Sequence, residues 1–281
     1  MNEAVAGGFS VRFWGVRGSF PVPGPTTIRY GGNTACIEIR AGTERVMVDC
    51  GSGAHSLGNA LSAEGCRAVS VLFTHTHLDH ICGLPFFVPS YRADVDVHFF
   101  AGHLDGETTI RDVFRTFMDP TLFPVQPSIF RACTFTDFAP GDTLELPNGL
   151  IARTLLLNHP GNSIGYRIEW RGRSVSVITD HEHGNREIDD AIVEFVAGTE
   201  VMIYDAMFTE EEYADFVGWG HSTWEKALQI AERAGVHRPV TFHHAPHRED
   251  EALDAIRAAM RDLMANAEPA AEGMTIAIET D

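Results

Sequence analysis

The chain has 281 residues, of which 44% are hydrophobic and 21% are charged, and this balance excludes an intrinsically disordered protein. Acidic residues outnumber basic ones 39 to 21, which gives a formal net charge of −18. A surface with this charge repels polyanions at long range, which disfavours a long nucleic acid as a partner. No apolar run reaches the roughly 20 residues of a membrane-spanning helix, and residues 1–10 lack the basic and apolar regions of a secretion signal. We therefore expect a cytoplasmic protein that binds neither a membrane nor a long nucleic acid.

The numbers and positions of the cysteine, lysine and histidine residues indicate which kinds of site the chain can form. The five cysteines are odd in number and include no Cys-x-x-Cys pair, so the sequence predicts neither a disulfide framework nor a thiolate zinc site. Lys226 is the only lysine, and no basic run creates a local patch for nucleic acid. The fourteen histidines gather around a few loops, which indicates a shared role for some of them.

Eleven extended segments predict strands, because they are rich in β-branched residues and are bounded by Gly, Pro, Asn or Asp. In chain order they are Ser10–Trp14, Ala35–Arg40, Arg45–Asp49, Val69–Phe73, Asp96–Phe100, Leu150–Leu157, Ser163–Trp170, Ser174–Ile178, Val201–Tyr204, Pro239–Phe242 and Thr275–Glu279.

Helical spacing of apolar residues predicts a helix over Thr223–Ala234, with Ser222 as its N-cap and Gly235 as its stop. A second helix is predicted over Asp250–Ala265, and Arg171-Gly172 is predicted to form a hairpin turn. Two strand-rich stretches, each with helices, predict an α/β fold in which two packed sheets lie between outer helices, a four-layer αββα sandwich. We expect residues 1–281 to form one such domain, with a site where loops meet at one edge.

One motif carries the strongest chemical signal. The buried strand Val69–Phe73 runs into His75-Thr-His77-Leu-Asp79-His80. Residues 75 and 77 point the same way in an extended chain, and Asp79 and His80 follow as the chain turns toward a helix. Imidazole and carboxylate are ligands that zinc, manganese and iron share. Four potential ligands within six residues predict a metal site rather than a chance cluster.

Further ligands must come from other strand ends. His159 follows the strand Leu150–Leu157, Asp180 follows Ser174–Ile178, and His243 follows Pro239–Phe242. Taken singly, each is an ordinary loop residue. Their recurrence at the ends of strands supports a common site.

The order His-x-His-x-Asp-His, then His, then Asp, then His resembles the metallo-β-lactamase superfamily across nearly the whole chain. The resemblance implies two divalent transition metals, with zinc expected and manganese or iron as alternatives. It assigns His75, His77 and His159 to one ion, Asp79, His80 and His243 to the other, and Asp180 as the bridge. His244 competes with His243, but His243 is preferred because Phe-His-His-Ala-Pro aligns with the Thr-His-Phe-Ser-Pro pattern of the phosphodiesterase branch.

Two later motifs narrow the resemblance. Tyr204-Asp205-Ala206-Met207-Phe208 and Gly220-His221-Ser222-Thr223 resemble motifs of the tRNA 3′-processing ribonucleases and their small cyclic-phosphodiesterase relatives. The resemblance implies that Asp205 orients His221, and that His221 contacts the phosphate or protonates the leaving oxygen. Tyr204 replaces a histidine of that family, and Asp205 is shorter than its glutamate.

The start of the chain also resembles this branch, in Trp14–Ser19 and Tyr30–Thr34. Arg17 there either meets a phosphate or is a surface arginine. His181 and His183 lie close to Asp180 in sequence, and either support it or are solvated loop residues.

The resemblance implies a dinuclear metal-dependent hydrolase that cleaves a small or cyclic phosphodiester through a metal-bridging hydroxide, with Asp79, Asp205 and His221 as catalytic residues. Two divalent ions, two aspartates and one hydroxide sum to about +1, which suits a small anionic substrate. A hydrolase of a thioester, lactone or lactam is the alternative, because such enzymes share the metal ligands without requiring the Asp205–His221 pair. A di-iron redox module is disfavoured because that branch carries a glutamate where this chain has His77. A homodimer is compatible with the resemblance.

Overall fold

A computed structural model of the chain describes residues 8–280. The expectations about the first residues, namely the missing secretion signal and the start of the domain at residue 1, therefore fall largely outside the described residues. Within the described range, none of the helices combines the length and the apolar character that crossing a membrane requires.

The described strands form two sheets of seven. The chain first forms β1 (Phe9–Gly15), β2 (Cys36–Ala41), β3 (Glu44–Val48), β4 (Ala68–Phe73), β5 (Asp96–Ala101) and β6 (Cys133–Asp137). It then forms β7 (Thr143–Leu146), β8 (Leu150–Leu157), β9 (Ser163–Trp170), β10 (Arg173–Ile178), β11 (Val201–Asp205), β12 (Arg238–Phe242) and β13 (Glu268–Pro269), and returns to the first sheet with β14 (Thr275–Ile278). The strand orders are β14-β1-β2-β3-β4-β5-β6 and β13-β12-β11-β10-β9-β8-β7.

Helices cover the outer face of each sheet. In chain order, the α-helices of the described residues are α1 (Ala54–Ala63), α2 (Leu78–Ile81), α3 (Ile110–Phe117), α4 (Arg186–Phe195), α5 (Glu210–Tyr213), α6 (Trp224–Ala234) and α7 (Asp250–Leu263). Leu57 of α1 and Phe114 of α3 pack in a buried cluster with residues of β4 and β5. Ile192 of α4 and Ile230 of α6 pack in another with residues of β10 and β11. The predicted αββα sandwich is thereby confirmed.

The inner faces of the two sheets share the largest apolar core. Phe13 of β1 faces Phe242 of β12 with ring centroids 6.1 Å apart, and Ile37 and Tyr166 are buried in the same layer. Burial of each large apolar side chain contributes about 1.5–3 kcal/mol. This layer therefore fixes one sheet against the other, and with it the loops at their common edge.

The predicted boundaries hold best where the apolar pattern is strong. β8 and β9 match the predicted strands, and Arg171 and Gly172 join β9 to β10 with φ of 48° and 73°, as a tight hairpin turn requires. The predicted N-cap Ser222 is wrong. Thr223 caps α6, because its side chain accepts a hydrogen bond from the Lys226 amide at 3.1 Å, whereas the Ser222 amide is bound to Asp205.

The direction of the strands places the site. Strands β3, β4 and β5 are parallel to one another, as are β10, β11 and β12. Parallel strands end at the same edge of a sheet, and the crevice beyond their carboxyl ends is where α/β folds bind ligands. The loops that follow these strands carry most of the residues singled out by the sequence, and His159 follows β8.

Candidate metal centre

The structure brings the seven side chains expected as ligands together at this edge. The first group comprises His75 and His77, which follow β4, and His159, which follows β8. His75 Nε2 lies 2.8 Å from His77 Nδ1, and His159 Nε2 lies 3.1 Å from the same atom. Three imidazole nitrogens thus converge on one point from two different sheets.

The second group comprises Asp79, His80 and His243. His80 Nε2 and His243 Nε2 are 3.3 Å apart. Asp79 Oδ2 lies 3.3 Å from the former and 3.2 Å from the latter. Asp79 also accepts the Ser19 amide at 2.7 Å, which holds the carboxylate in place.

Asp180 lies between the two groups. Its Oδ1 is 3.8 Å from Nε2 of both His75 and His159, and 3.4 Å from His243 Nε2. Its Oδ2 is 3.2 Å from His80 Nε2. One carboxylate therefore faces donors of both groups, which is the arrangement a bridging ligand needs.

The outer nitrogens of His80 and His159 are occupied, which leaves their inner nitrogens free for a cation. His80 Nδ1 lies 2.8 Å from Asp49 Oδ2, and His159 Nδ1 lies 2.8 Å from the Gly220 carbonyl oxygen. Metal-binding histidines make this kind of outer hydrogen bond, which fixes the tautomer and the ring. The donor set therefore fits divalent transition metals.

The charge state of the cluster also suits a cation. Burial holds the pKa of His75 well below its ordinary value, with a further contribution from the His80 imidazole, so this ring is neutral as a ligand must be. Burial opposes charge on His80, but the Asp180, Asp79 and Asp49 carboxylates outweigh it and raise the pKa of His80 well above its ordinary value. That position attracts positive charge, whether from a proton or from a metal.

Asp49 is a contributor that the sequence analysis missed. It follows β3, is buried, and accepts both the Thr74 amide and the Thr74 hydroxyl at 2.8 Å. The strand-then-Asp pattern that singled out Asp180 also occurs here, but it does not indicate which imidazole the carboxylate orients. Its φ is 60°, and the φ values of Asp180 and His243 are 55° and 61°. Such left-handed conformations cost about 1–2 kcal/mol each for a residue with a Cβ, so the surrounding fold stabilises a strained backbone at the site.

Asp205 and His221 form a pair beside the cluster. Asp205 is fully buried, and its Oδ2 lies 2.9 Å from His221 Nδ1. Burial alone would lower the pKa of His221, but the Asp205 carboxylate, supported by Asp180 and Asp79, raises the pKa to about 9. The His221 ring centroid is 5.3 Å from that of His159 and 4.9 Å from that of His243. The His221 imidazole therefore faces the two histidine groups.

Asp205 and His221 also lie within 4.8 Å of donor atoms of Asp180 and His243. Asp205 nevertheless has its oxygens engaged, because they also accept the amides of Asp180 and Ser222, each at 3.0 Å, and that of Met207 at 3.2 Å. This bonding suits a residue that positions its neighbours better than one that binds a metal.

The structure separates the other candidates. His244 turns away from the cluster, and its Nε2 lies 2.9 Å from the Ala270 carbonyl oxygen. Arg17 meets neither sequence expectation, because it is completely buried and donates to the Gly31 carbonyl at 2.7 Å.

His181 is buried with Nε2 3.3 Å from Asp189 Oδ1, and His183 Nδ1 lies 2.8 Å from the Ser222 hydroxyl. Both therefore support the loop around Asp180, His181 as a buried residue and His183 as a half-buried one.

Comparison with known proteins places the chain in a family. The model of the beta-lactamase superfamily domain matches residues 44–244, which is more than half of the chain. The protein belongs to this superfamily, and it has the fold of the metal-dependent members.

The relatives of this hydrolase include RNA-processing enzymes. A ribonuclease Z of Bradyrhizobium sp. strain ORS 278 is 26% identical over 262 residues, which cover 76% of this chain and 85% of that protein. The metallo-β-lactamase fold protein YhfI of Bacillus subtilis superposes with a TM-score of 0.75 at 19% identity, covering 96% of this chain and 99% of its own. The short form of human tRNase Z gives a TM-score of 0.69 at 17% identity, covering 96% and 99%.

These relatives overturn one prediction. We expected the net charge of −18 to exclude a long nucleic acid, but relatives with this fold are named ribonuclease Z and tRNase Z. The prediction is wrong because net charge describes the whole surface, whereas bound cations and protonated side chains set the local field at a site.

Proposed function

We propose that this hydrolase is a dinuclear metal-dependent phosphodiesterase, with small or cyclic phosphodiesters among its substrates. The observation that supports this most is the Asp205–His221 pair, 2.9 Å apart and beside a cluster that has seven other ligand candidates. The motifs that carry this pair resemble the phosphodiesterase branch and are not required of thioester, lactone or lactam hydrolases, and a departing alkoxide of a phosphodiester gains from a nearby acid.

His75, His77 and His159 would hold one ion, and Asp79, His80 and His243 the other, with Asp180 between them. Zinc is the expected metal, because imidazole-rich sites with carboxylates suit it, and manganese or iron are the alternatives. When bound, such ions lower the pKa of water toward about 7 and neutralise charge on phosphoryl oxygens.

The chain's own residues supply the remaining chemistry. His221, protonated and held by Asp205, donates a proton or a hydrogen bond to the leaving oxygen. Asp79, held by the Ser19 amide at 2.7 Å, supplies negative charge that keeps the second group of ligands attractive to a cation. The Asp205 carboxylate lies on the side of His221 that faces away from the substrate, and it keeps the imidazole oriented.

The test combines metal analysis with a substrate panel. The zinc- or manganese-reconstituted protein is assayed with a 2′,3′-cyclic nucleotide, an open dinucleoside phosphate, a tRNA precursor with a 3′ extension, a phosphomonoester, a thioester, a lactone and a lactam. We expect the highest kcat/KM on a phosphodiester. A much higher kcat/KM on the thioester, lactone or lactam would refute the proposal.

A further inference from the structure

Three large apolar side chains are exposed next to the metal centre. Phe20, Leu78 and Trp219 are 63%, 60% and 62% exposed. Each adjoins backbone that contacts the cluster: Phe20 follows Ser19, whose amide donates to Asp79, and Leu78 lies between His77 and Asp79. Trp219 precedes Gly220, whose carbonyl accepts from His159.

The segment that carries Trp219, residues 213–220, is fastened to the site. Glu182 is buried and accepts the Gly218 amide at 2.7 Å and the Gly220 amide at 2.8 Å. The Tyr213 hydroxyl donates to the same carboxylate at 3.1 Å. Trp219 is thus exposed on backbone that is anchored on both of its sides.

A series of ring contacts supports Trp219 and connects it to the site. Its ring meets that of Phe216 edge-on, with centroids 5.2 Å apart and an interplanar angle of 86°, and Phe216 stacks on Phe208 at 4.5 Å with an interplanar angle of 5°. Phe208 in turn lies 6.1 Å from the His221 ring. An aromatic surface that is held this firmly can bind another ring without first losing conformational freedom.

The neighbouring cations are engaged by the protein itself. Arg17 donates to the Gly31 carbonyl, Lys226 Nζ lies 3.4 Å from Asp189, and Arg248 pairs with Glu212. These charged side chains are therefore not free to bind the part of a substrate that lies beyond the reacting phosphoryl group. The exposed rings are better placed to bind it.

We propose that Trp219 forms an aromatic subsite beside the metal centre that binds a planar ring of the substrate, a nucleobase attached through its sugar to the scissile phosphoryl group. The identification of the bound ring as part of the substrate rests on the proposed phosphodiesterase function. Stacking of a base on an aromatic side chain tolerates any base sequence, because every base has a π-face.

The test compares two diesters with the same leaving group, thymidine 5′-(p-nitrophenyl phosphate) and methyl p-nitrophenyl phosphate. Trp219→Ala should raise KM for the thymidine diester roughly tenfold and leave kcat and KM for the methyl diester unchanged. Trp219→Phe should retain most of the affinity. Val217→Ala is the matched control, because Val217 is 64% exposed on the same segment and should change neither substrate.

A binding measurement separates this inference from the proposed function. Thymidine 5′-monophosphate should quench the tryptophan fluorescence of the metal-reconstituted parent and not that of Trp219→Phe, even if neither diester is hydrolysed. The subsite is refuted if the quenching survives in Trp219→Phe, or if Trp219→Ala affects both diesters equally. It is also refuted if sedimentation shows that Trp219→Ala converts a dimer into a monomer, since a second copy would then occupy the surface.

Discussion

Asp49 Oδ2 lies 2.8 Å from His80 Nδ1, so a carboxylate from the loop after one strand orients an imidazole from the loop after the next. The same carboxylate binds the amide of Thr74 at 2.8 Å, directly before the His75 motif. One buried aspartate therefore fixes both the ring of His80 and the backbone from which His75 and His77 project.

We expect Asp49→Asn to lower zinc affinity by roughly 10–100-fold, the usual effect of losing an outer partner of a metal-binding histidine. Asparagine has nearly the same shape and tolerates the left-handed backbone at this position, so the fold should survive. A competition titration against a chromophoric chelator measures the affinity. Asp94→Asn, at an exposed carboxylate paired with Arg92, is the control and should bind zinc like the parent. Unchanged affinity in Asp49→Asn would contradict the orienting role.

The His221 side chain should be separable from metal binding. His221→Ala should retain the metal content of the parent and reduce turnover of a phosphodiester with an alkoxide leaving group by roughly a hundredfold, within the 10²–10⁴ range of general acid catalysis. The loss should be larger for an alkoxide leaving group than for a nitrophenolate, which departs without a proton. Equal rates for parent and variant on both diesters would rule out the acid role.

Asp205 should behave differently from its partner. Because its two oxygens accept three backbone amides besides His221, Asp205→Asn replaces an acceptor with a donor inside a buried network. Leaving buried amides without acceptors costs about 1–3 kcal/mol each. Thermal denaturation should therefore show a lower Tm for Asp205→Asn but not for His221→Ala. A parent-like Tm in Asp205→Asn would show that the network is not needed for stability.

Metal removal should destabilise the fold. A ligand that binds only the native state adds RT ln(1 + [L]/Kd), about 2.7 kcal/mol at a hundredfold excess over Kd. Zinc should raise Tm and a chelator should reverse the increase, with up to two ions bound per chain. Asp180→Ala should weaken both groups, whereas His243→Ala should empty mainly one. Elemental analysis that finds no metal after reconstitution would contradict the dinuclear site.

Arg17 should prove structural. Its guanidinium is completely buried and donates to the carbonyls of Gly31, Ala245 and Arg248. Arg17→Ala should lower the free energy of unfolding by several kcal/mol, as expected when buried hydrogen-bonded groups lose their partner. Denaturant titration measures the loss. A variant that kept its stability and showed only a raised KM for diesters would restore the phosphate-binding interpretation.

The sequence predicted the central elements and missed the peripheral ones for physical reasons. β8 and β9 stand out because long apolar runs mark buried strands. β6, with the sequence CTFTD, and β7, with TLEL, are partly exposed, so their pattern is weak. Helix α1 contains Gly58 and Asn59, which lower helix propensity; Gly58 stands where an added Cβ would lie 3.1 Å from Phe87.

The site was predictable where ligands are dense in sequence and less so where single residues act. His75, His77, Asp79 and His80 lie within six positions, whereas Asp49 and Glu182 are isolated carboxylates whose partners appear only when strands and loops come together. The choice between His243 and His244 depended on a resemblance. The structure separates them because the backbone of His243, at φ 61°, turns its ring toward Asp79.

The return of β14 to the first sheet has a consequence for the order in which the protein can assemble during synthesis. β1 is synthesised well before its partner β14, and until β14 is made β1 offers an unpaired edge of the kind that promotes aggregation. His243, which lies 163 positions after its neighbour His80, is also synthesised late. The edge of β1 is therefore covered, and the set of candidate ligands complete, only after the chain from His243 to β14 has been synthesised.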